Sequence, residues 1–148
     1  MQIPDQNVLK NVYGETEKSR KRFERLYHGY VEAFGTSQMD FFTAPGRTEI
    51  VGNHVDHNGG MVLAASIDMD TIGAAYPNAS ERIEIISEGY REKIVIDLKN
   101  LDEIPADQAT VSLVAGIAKA VEVFGYQISG FQAYVTTEVI SSAGVSSS

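Results

Sequence analysis

The 148-residue sequence contains no cysteine, no tryptophan and only four prolines. Without cysteine the chain can form no disulfide and has no thiolate to bind a metal or attack a substrate, which fits a reducing, cytoplasmic setting. The sequence also lacks the run of about 18 apolar residues that a membrane-spanning helix requires, and it has no secretion signal. We therefore expect a cytoplasmic protein with no membrane partner.

Positive charge is scarce, with 12 lysines and arginines against 20 acidic residues and a net charge of -8. This balance argues against nucleic acid as a partner, because attraction to phosphates drives most non-specific binding. The one basic run, Lys18 to Arg25, is interpreted as a solvent-exposed helix face. The length and the hydrophobic content of 43% are those of one globular domain.

Hydrophobic periodicity predicts both helices and strands. One helix carries an apolar stripe and ends at Gly35, with His28 on its surface; the stripe consists of Phe23, Leu26, Tyr27, Tyr30, Val31 and Phe34. Extended structure begins at Asp40, and residues 61–76 are expected to form a largely buried strand or strand pair.

The second half of the sequence predicts a hairpin, a helix and a final strand. Residues 81–86 and 93–98 alternate at period two on either side of a turn. Asp107 is a suitable N-cap for the helix, and Gly125 would end it; the residues expected to be buried on it are Val111, Val114, Ala115, Ala118 and Val121. Residues 130–140 form the last strand. The class is therefore α+β in a single domain.

Residues 44–60, APGRTEIVGNHVDHNGG, concentrate polar and flexible residues between two extended segments. A glycine- and asparagine-rich turn would account for the glycines. It would not account for Arg47, His54, Asp56 and His57 beside them. Because loops held by rigid elements often carry function, these side chains are candidates for a binding site.

A metal centre is one interpretation of the histidines. The order His54, Asp56, His57 resembles the latter half of the signature of metallo-β-lactamase-like hydrolases, and imidazole and carboxylate suit zinc. However, the position of that signature's first histidine is Gly52, and the chain's other histidine, His28, lies upstream. The metal centre is therefore disfavoured.

The whole stretch more closely resembles the N-terminal signature of galactokinases, in the GHMP kinase superfamily, with matches at Gly46, Arg47, Gly52, His54, Asp56 and Gly60. The end of the chain, VISSAGVSSS, is similar to the start of that family's phosphate loop. The resemblance implies a ribosomal protein S5 domain 2-like fold with a mixed sheet and helices. It also implies that residues 1–148 form a single incomplete domain, with a sugar-binding signature at 44–60 and the start of the phosphate loop at 139–148.

The resemblance further implies transfer of the ATP γ-phosphate to the anomeric hydroxyl of galactose, with Mg²⁺. Arg47 would act at the anomeric hydroxyl and the transferred phosphate, as both a catalytic and a substrate-binding residue. The other sugar ligands would be Asn53, His54, Asp56 and His57. The nucleotide phosphates would be bound by Gly144, Ser146, Ser147 and Ser148, with Ser147 also at the metal.

Three departures from the family pattern leave the sugar open. The family's Asn, Glu and Tyr are replaced by Glu49, Asn53 and His57. Galactose is expected first, and a related sugar such as galacturonate is the alternative. The family's catalytic aspartate would come after Ser148. We therefore expect a kinase fragment that is inactive alone and prone to self-association, the alternative being a non-catalytic sensor that binds galactose and ATP.

Overall fold

A computed structural model of the protein describes residues 3–52, 59–90, 92–103 and 109–140. The elements along the chain are α1 (Gln6–Tyr13), α2 (Glu17–Phe34), β1 (Asp40–Val51), β2 (Leu63–Pro77), β3 (Arg82–Ser87), β4 (Ile94–Asp97), a 3₁₀ helix (Leu98–Glu103), α3 (Ala109–Val123) and β5 (Phe131–Thr137). The sheet has the order β1-β2-β5-β3-β4. All neighbours are antiparallel except β3 and β5, which are parallel. The α+β class and the mixed sheet are confirmed.

Local capping sets the ends of the first two helices. The carboxylate of Asp5 accepts a hydrogen bond from the N–H of Val8 at 2.9 Å, and Gly14 ends α1 with a φ of 71°. The sequence analysis did not anticipate α1, although this N-cap and C-terminal glycine signal it. Gly35 ends α2 in the left-handed conformation, with a φ of 68°, as predicted.

Helix α2 covers one face of the sheet with its apolar stripe. Its buried residues and those of α1 and β2 form one cluster; the members are Leu9, Phe23, Leu26, Tyr30, Ile72 and Ala74. Leu26 and Tyr30 are fully buried. Three residues of the predicted stripe, Phe23, Leu26 and Tyr30, are therefore confirmed as core, and His28 lies exposed. The other three are half-buried; these are Tyr27, Val31 and Phe34.

Helix α3 packs on the opposite face of the sheet. Phe131 of β5 contacts the α3 cluster, whereas Tyr134 contacts the α2 cluster. Residues three apart on a strand point to opposite faces, so the sheet separates the two clusters. Ala115 and Ala118 are the buried residues that α3 contributes, and they lie against Ile83 and Ile96. The predicted N-cap of this helix, Asp107, lies outside the described residues.

The far halves of β1 and β2, residues 44–51 and 63–70, form a two-stranded arm. Residues 71–77 of β2 pair with β5, but within the described chain residues 63–70 pair with β1 alone. Ile50, Val51 and Leu63 are 59%, 63% and 56% exposed. The expectation of a largely buried strand over 61–76 is therefore wrong for its first half, because no described element covers the arm there. Within the described ranges, no helix combines the length and apolarity needed to cross a bilayer.

Candidate functional site

Three glycines shape the arm and the loop that it carries. Gly46 lies at an irregularity in the β1–β2 ladder, where Pro45 pairs with Asp70 and Arg47 pairs with Ser66, so that the extra residues, 67–69, are on β2. Gly52 follows the strand with a φ of 90°, and a Cβ there would come within 2.4 Å of the carbonyl oxygen of Met61. Only glycine fits such a close approach without a backbone shift. Gly59, at the other end of the loop, has a φ of 76° and open space around it.

Arg47 projects from β1 with a largely accessible side chain. Its Nη2 lies 3.3 Å from Oε1 of Glu49, and the two side chains are 59% and 18% exposed. An exposed pair of this kind contributes at most about 1 kcal/mol, so a ligand anion can displace it. Glu49 stands where the related signature has asparagine, and it therefore places a carboxylate beside the guanidinium.

The remaining candidate residues lie outside the described part of the chain. These are the sugar-binding candidates Asn53, His54, Asp56 and His57 and the phosphate-binding candidates Gly144, Ser146, Ser147 and Ser148. The structure therefore describes Arg47, Gly52 and Gly59, and the roles of the other candidates stay predictions. No group of three or more metal-binding side chains occurs among residues 3–52, 59–90, 92–103 and 109–140.

A second polar group lies at the base of the arm and was not foreseen. Tyr13, Arg22, Thr43, Asp70 and Glu138 form this base cluster, which is centred on the carboxylate of Asp70. The hydroxyls of Tyr13 and Thr43 donate to its Oδ2 at 2.7 and 2.6 Å. Nη2 of Arg22 donates to its Oδ1 at 2.8 Å. Nη1 of Arg22 lies 3.3 Å from Oε2 of Glu138.

Hydrogen bonding keeps the Asp70 carboxylate charged despite its burial. Burial alone would raise the pKa of Asp70, but the hydrogen bonds from Thr43, Tyr13 and Arg22, with the charge of Arg22, outweigh it and lower that pKa below its usual value. Burial also raises the pKa of the Tyr13 hydroxyl, which stays protonated and able to donate. At neutral pH the base cluster therefore holds an ionised Asp70 and a cationic Arg22.

The basic run forms a solvent-exposed face as predicted, except at Arg22; the exposed members are Lys18, Arg20, Lys21 and Arg25. The side chain of Arg22 is 8% exposed. Ser19, Arg22, Phe23 and Leu26 are all buried because their helical spacing places them on the side of α2 that faces the sheet. Nε of Arg22 is buried with no hydrogen-bond partner among the described residues. The guanidinium thus contacts the carboxylates of Asp70 and Glu138 through Nη2 and Nη1.

A cleft of about 390 Å³ opens beside the base cluster, between the first two helices and the arm. Lys18 and Asp68 add charge to its wall, while Val12, Pro45 and Ile67 supply apolar surface. Lys18 Nζ also lies 3.2 Å from Oε1 of Glu138. Two cationic side chains line the cleft together with four carboxylates, so its lining carries a net negative charge; they are Lys18 and Arg22, and Glu15, Asp68, Asp70 and Glu138.

Comparison with known families matches the arm and its surroundings. Residues 28–77 fit the family model described as the galactokinase galactose-binding signature. This range contains the end of α2, all of β1 and β2, and residues 52–62 between the two strands. The match thus falls on the part of the fold that carries Arg47.

Curated relatives extend the match over most of the chain. The galactokinase of Lactococcus lactis subsp. lactis is 32% identical over 127 residues, which is 83% of this chain and 32% of that protein. The galactokinase of a Roseiflexus species is 28% identical over 135 residues, or 90% of this chain and 32% of that protein. The chain thus spans about a third of the length of these relatives.

Solved structures give the same class of fold. The crystal structure of Lactococcus lactis galactokinase complexed with galactose matches with a TM-score of 0.75 at 30% identity, covering 84% of this chain and 33% of that one. Methanococcus jannaschii mevalonate kinase matches with a TM-score of 0.57 at 14% identity, covering 73% and 35%, which shows a shared fold alone. The fold and the arm are therefore those of a GHMP-type kinase.

Sequence similarity distinguishes the galactokinases from the mevalonate kinase in this comparison. The galactokinases match along both the signature and most of the chain, whereas the mevalonate kinase match rests on fold. The chain is thus a relative of the galactokinases, as the sequence motif predicted.

Proposed function

We propose that this chain is the sugar-binding part of an ATP-dependent kinase that phosphorylates the anomeric hydroxyl of galactose. The observation that carries the proposal is the position of the galactose-binding signature, which coincides with the arm that holds Arg47. The solved relative in complex with galactose supports the same sugar.

Arg47 supplies a charge suited to phosphoryl transfer. The reaction develops negative charge on the transferred group, and catalysis consists mainly of positioning and charge stabilisation. Arg47 stands on a strand, its guanidinium is largely accessible, and Nη2 lies 3.3 Å from Oε1 of Glu49. The guanidinium can therefore turn from Glu49 to the phosphoryl group. Bound with ATP, Mg²⁺ would neutralise phosphate charge, and Ser147 is the proposed ligand.

The loop after Gly52 supplies the proposed sugar contacts. Neutral sugars are recognised by several directional hydrogen bonds, which Asn53, His54, Asp56 and His57 can provide as donors and acceptors. The segment with Gly144 and Ser146 to Ser148 is proposed to bind the ATP phosphates through backbone N–H groups and hydroxyls.

The proposal is tested in the intact protein that carries this sequence. Arg47→Ala should lower kcat about 100-fold, because its charge acts in the transition state. Asp56→Ala should cost about 1 to 3 kcal/mol in kcat/KM through the loss of sugar hydrogen bonds. Arg20→Ala, which removes an exposed pair within α2, is the matched control and should leave both constants unchanged.

Two results would contradict the assigned roles. A change in the KM for galactose alone in Arg47→Ala would place Arg47 in sugar binding and not in transfer. Binding of galactose and ATP by the wild-type protein without formation of galactose 1-phosphate would identify a sensor instead of a kinase.

Loop shape provides an independent test of the sugar site. Gly52→Ala would force a Cβ against the Met61 carbonyl, whereas Gly59→Ala meets nothing within 4 Å although its φ is also positive. Both variants carry backbone strain, but only the first adds a clash. Gly52→Ala should therefore raise the KM for galactose about tenfold and Gly59→Ala much less. A wild-type KM for galactose in Gly52→Ala would contradict a role of this loop in sugar binding.

Asn53 determines the expected substrate range. An amide both donates and accepts hydrogen bonds and carries no charge, whereas a carboxylate repels an acidic sugar. We expect Asn53→Glu to depress kcat/KM for galacturonate far more than for galactose. Absence of galacturonate activity in both forms would leave Asn53 a neutral variation within a galactose kinase.

A further inference from the structure

Arg22 joins two parts of the chain that are far apart in sequence. It lies on α2, and its side chain contacts Asp70 at the base of the arm and Glu138 just beyond β5. The two contacts use separate nitrogens, Nη2 and Nη1, so the planar guanidinium spans both carboxylates. Few other side chains could do this, because an ammonium group offers a single centre.

A backbone hydrogen bond also connects Asp70 with Glu138. The N–H of Glu138 donates to the carbonyl oxygen of Asp70 at 3.0 Å, and Nη2 of Arg22 lies 3.4 Å from that same oxygen. Val139, the next residue, is 6% exposed, and its N–H donates to the hydroxyl of Thr137 at 3.1 Å. The chain is thus anchored at the base of the arm as it leaves β5.

Along the chain, this junction connects the arm that carries Arg47 with the segment that leads into residues 141–148. On one side, β1 and β2 run outward from Asp70 to Arg47 and the sugar loop. On the other, residues 139–148 contain the serine-rich segment proposed to bind phosphate. A rotation of either segment about the junction would move the sugar and the phosphates relative to each other, and transfer depends steeply on that distance.

We propose that Arg22 is a positioning residue, which aligns the arm bearing Arg47 with the chain entering the phosphate-binding segment by bridging Asp70 and Glu138. The proposal rests on the proposed kinase function for its catalytic consequence. Its structural part, the anchoring of residues 138–140 by Arg22, holds independently of that function.

Hydrogen exchange in the intact protein tests the anchoring. Arg22→Met keeps an unbranched apolar stem but removes both ion pairs, so amide exchange in peptides spanning 131–140 should accelerate about tenfold. Peptides from β3 and β4 should exchange as in the wild type. Arg20→Met, which removes the exposed pair with Glu24 on the same helix, is the control and should change neither region. Equal exchange of residues 131–140 in the Arg22→Met, Arg20→Met and wild-type proteins would overturn the proposal.

Kinetics separate positioning from a purely structural role. At a temperature where melting curves show each protein folded, Arg22→Met should lower kcat about tenfold and change the KM for galactose less than twofold. Arg22→Lys keeps the charge and most of the packing, yet its single ammonium cannot span both carboxylates, so kcat should stay low. Full kcat in Arg22→Lys, or in Arg22→Met, would contradict the proposed bridging.

The two proposals fail in different ways. If the wild-type protein does not phosphorylate galactose, the kinase proposal fails, and the exchange rates still decide whether Arg22 anchors residues 138–140. If the wild-type protein is an active kinase and exchange is unaffected by Arg22→Met, the bridging role alone fails.

Discussion

The two helices contribute different side chains to the two faces of the sheet. Helix α2 contributes fully buried large residues, among them Leu26 and Tyr30. On the other face the sheet contributes the fully buried Ile83 and Ile96, and the buried residues in the described part of α3 are small; these are Ala115 and Ala118. Val111 and Val114 of α3 are partly buried there, whereas Leu113 and Ile117 are 51% and 57% exposed.

The difference shows that apolar sequence does not by itself identify core. Burial of apolar area stabilises the fold by about 25 cal/mol per Å², so the α2 face supplies the larger share of stability. The apolar surface that α3 leaves exposed has the character of a binding face, since soluble monomers seldom expose large contiguous apolar patches. The α2 face of the sheet therefore serves mainly for folding. The outward side of α3, which carries Leu113 and Ile117, is the surface that we expect to associate.

The largest expected loss of stability comes from truncating a buried side chain on the α2 face. Leu26→Ala removes a fully buried side chain and should lower the free energy of unfolding by about 4 kcal/mol, through lost burial and the cavity left behind. Leu113→Ala on α3 makes the same chemical change at a half-exposed position and should cost less than about 1 kcal/mol. Urea unfolding measures both. Similar losses would show that the two faces are equally important for stability.

The base cluster should give the next largest effect. Asp70→Asn removes the charge that accepts hydrogen bonds from Tyr13, Thr43 and Arg22 but keeps the side-chain shape. Hydrogen bonds to a charged group contribute about 1.5 to 3 kcal/mol, so a loss near 2 kcal/mol is expected at neutral pH. Glu17→Gln, which alters an exposed pair with Lys21, is the control and should show no measurable change in urea unfolding.

The pH dependence of the free energy of unfolding should distinguish the wild type from Asp70→Asn. The pKa of Asp70 is lowered by its hydrogen bonds and by Arg22, although burial opposes this. Its folded pKa is thus below the unfolded value of about 3.9, and the stabilisation is present above that value and lost as pH falls through the folded pKa. The stability difference between wild type and Asp70→Asn should therefore narrow below about pH 4. A constant difference down to pH 2 would contradict an ionised Asp70.

Substitution of the exposed apolar residues of α3 should have the smallest effect on stability. It should nevertheless have a measurable effect on association. Replacing both Leu113 and Ile117 by Glu should change the free energy of unfolding by less than about 0.5 kcal/mol each, because both are exposed. We expect the 148-residue chain alone to associate and this variant to associate less, as measured by sedimentation. The matched control replaces Val8 and Val12 of α1, which are 48% and 58% exposed. Equal association in both variants would exclude α3 as the contact.

The sequence predicted most of the fold because the governing signals are local. The stripe on α2, the stop at Gly35 and the β3–β4 hairpin follow from periodicity and turn chemistry within a few residues. The short helix α1 was missed although Asp5 and Gly14 cap it, because its two turns give little periodic signal. The buried strand expected over residues 61–76 was wrong in its first half, since burial depends on which strands pair with it.

The candidate site divides in the same way. The motif around Arg47 predicted the galactokinase relationship, which is confirmed, and the site residues of that motif stay predictions. Gly52 has a positive φ and a close approach to Met61 that only glycine fits. The base cluster could not be predicted, because Tyr13, Arg22, Asp70 and Glu138 come from four separate segments. A basic run on a helix is usually solvated, and only the sheet beneath α2 makes Arg22 an exception.

The sequence by itself thus determined α2 with its stop at Gly35, the β3–β4 hairpin and the family relationship, since each depends on residue types at fixed short spacings. Tertiary structure alone decided which face of each helix carries the core, where the arm extends beyond the sheet, and that Arg22 bridges two carboxylates 68 residues apart in sequence, Asp70 and Glu138. The physical reason is that burial and electrostatics depend on distances in space, which are set only when distant segments pack together.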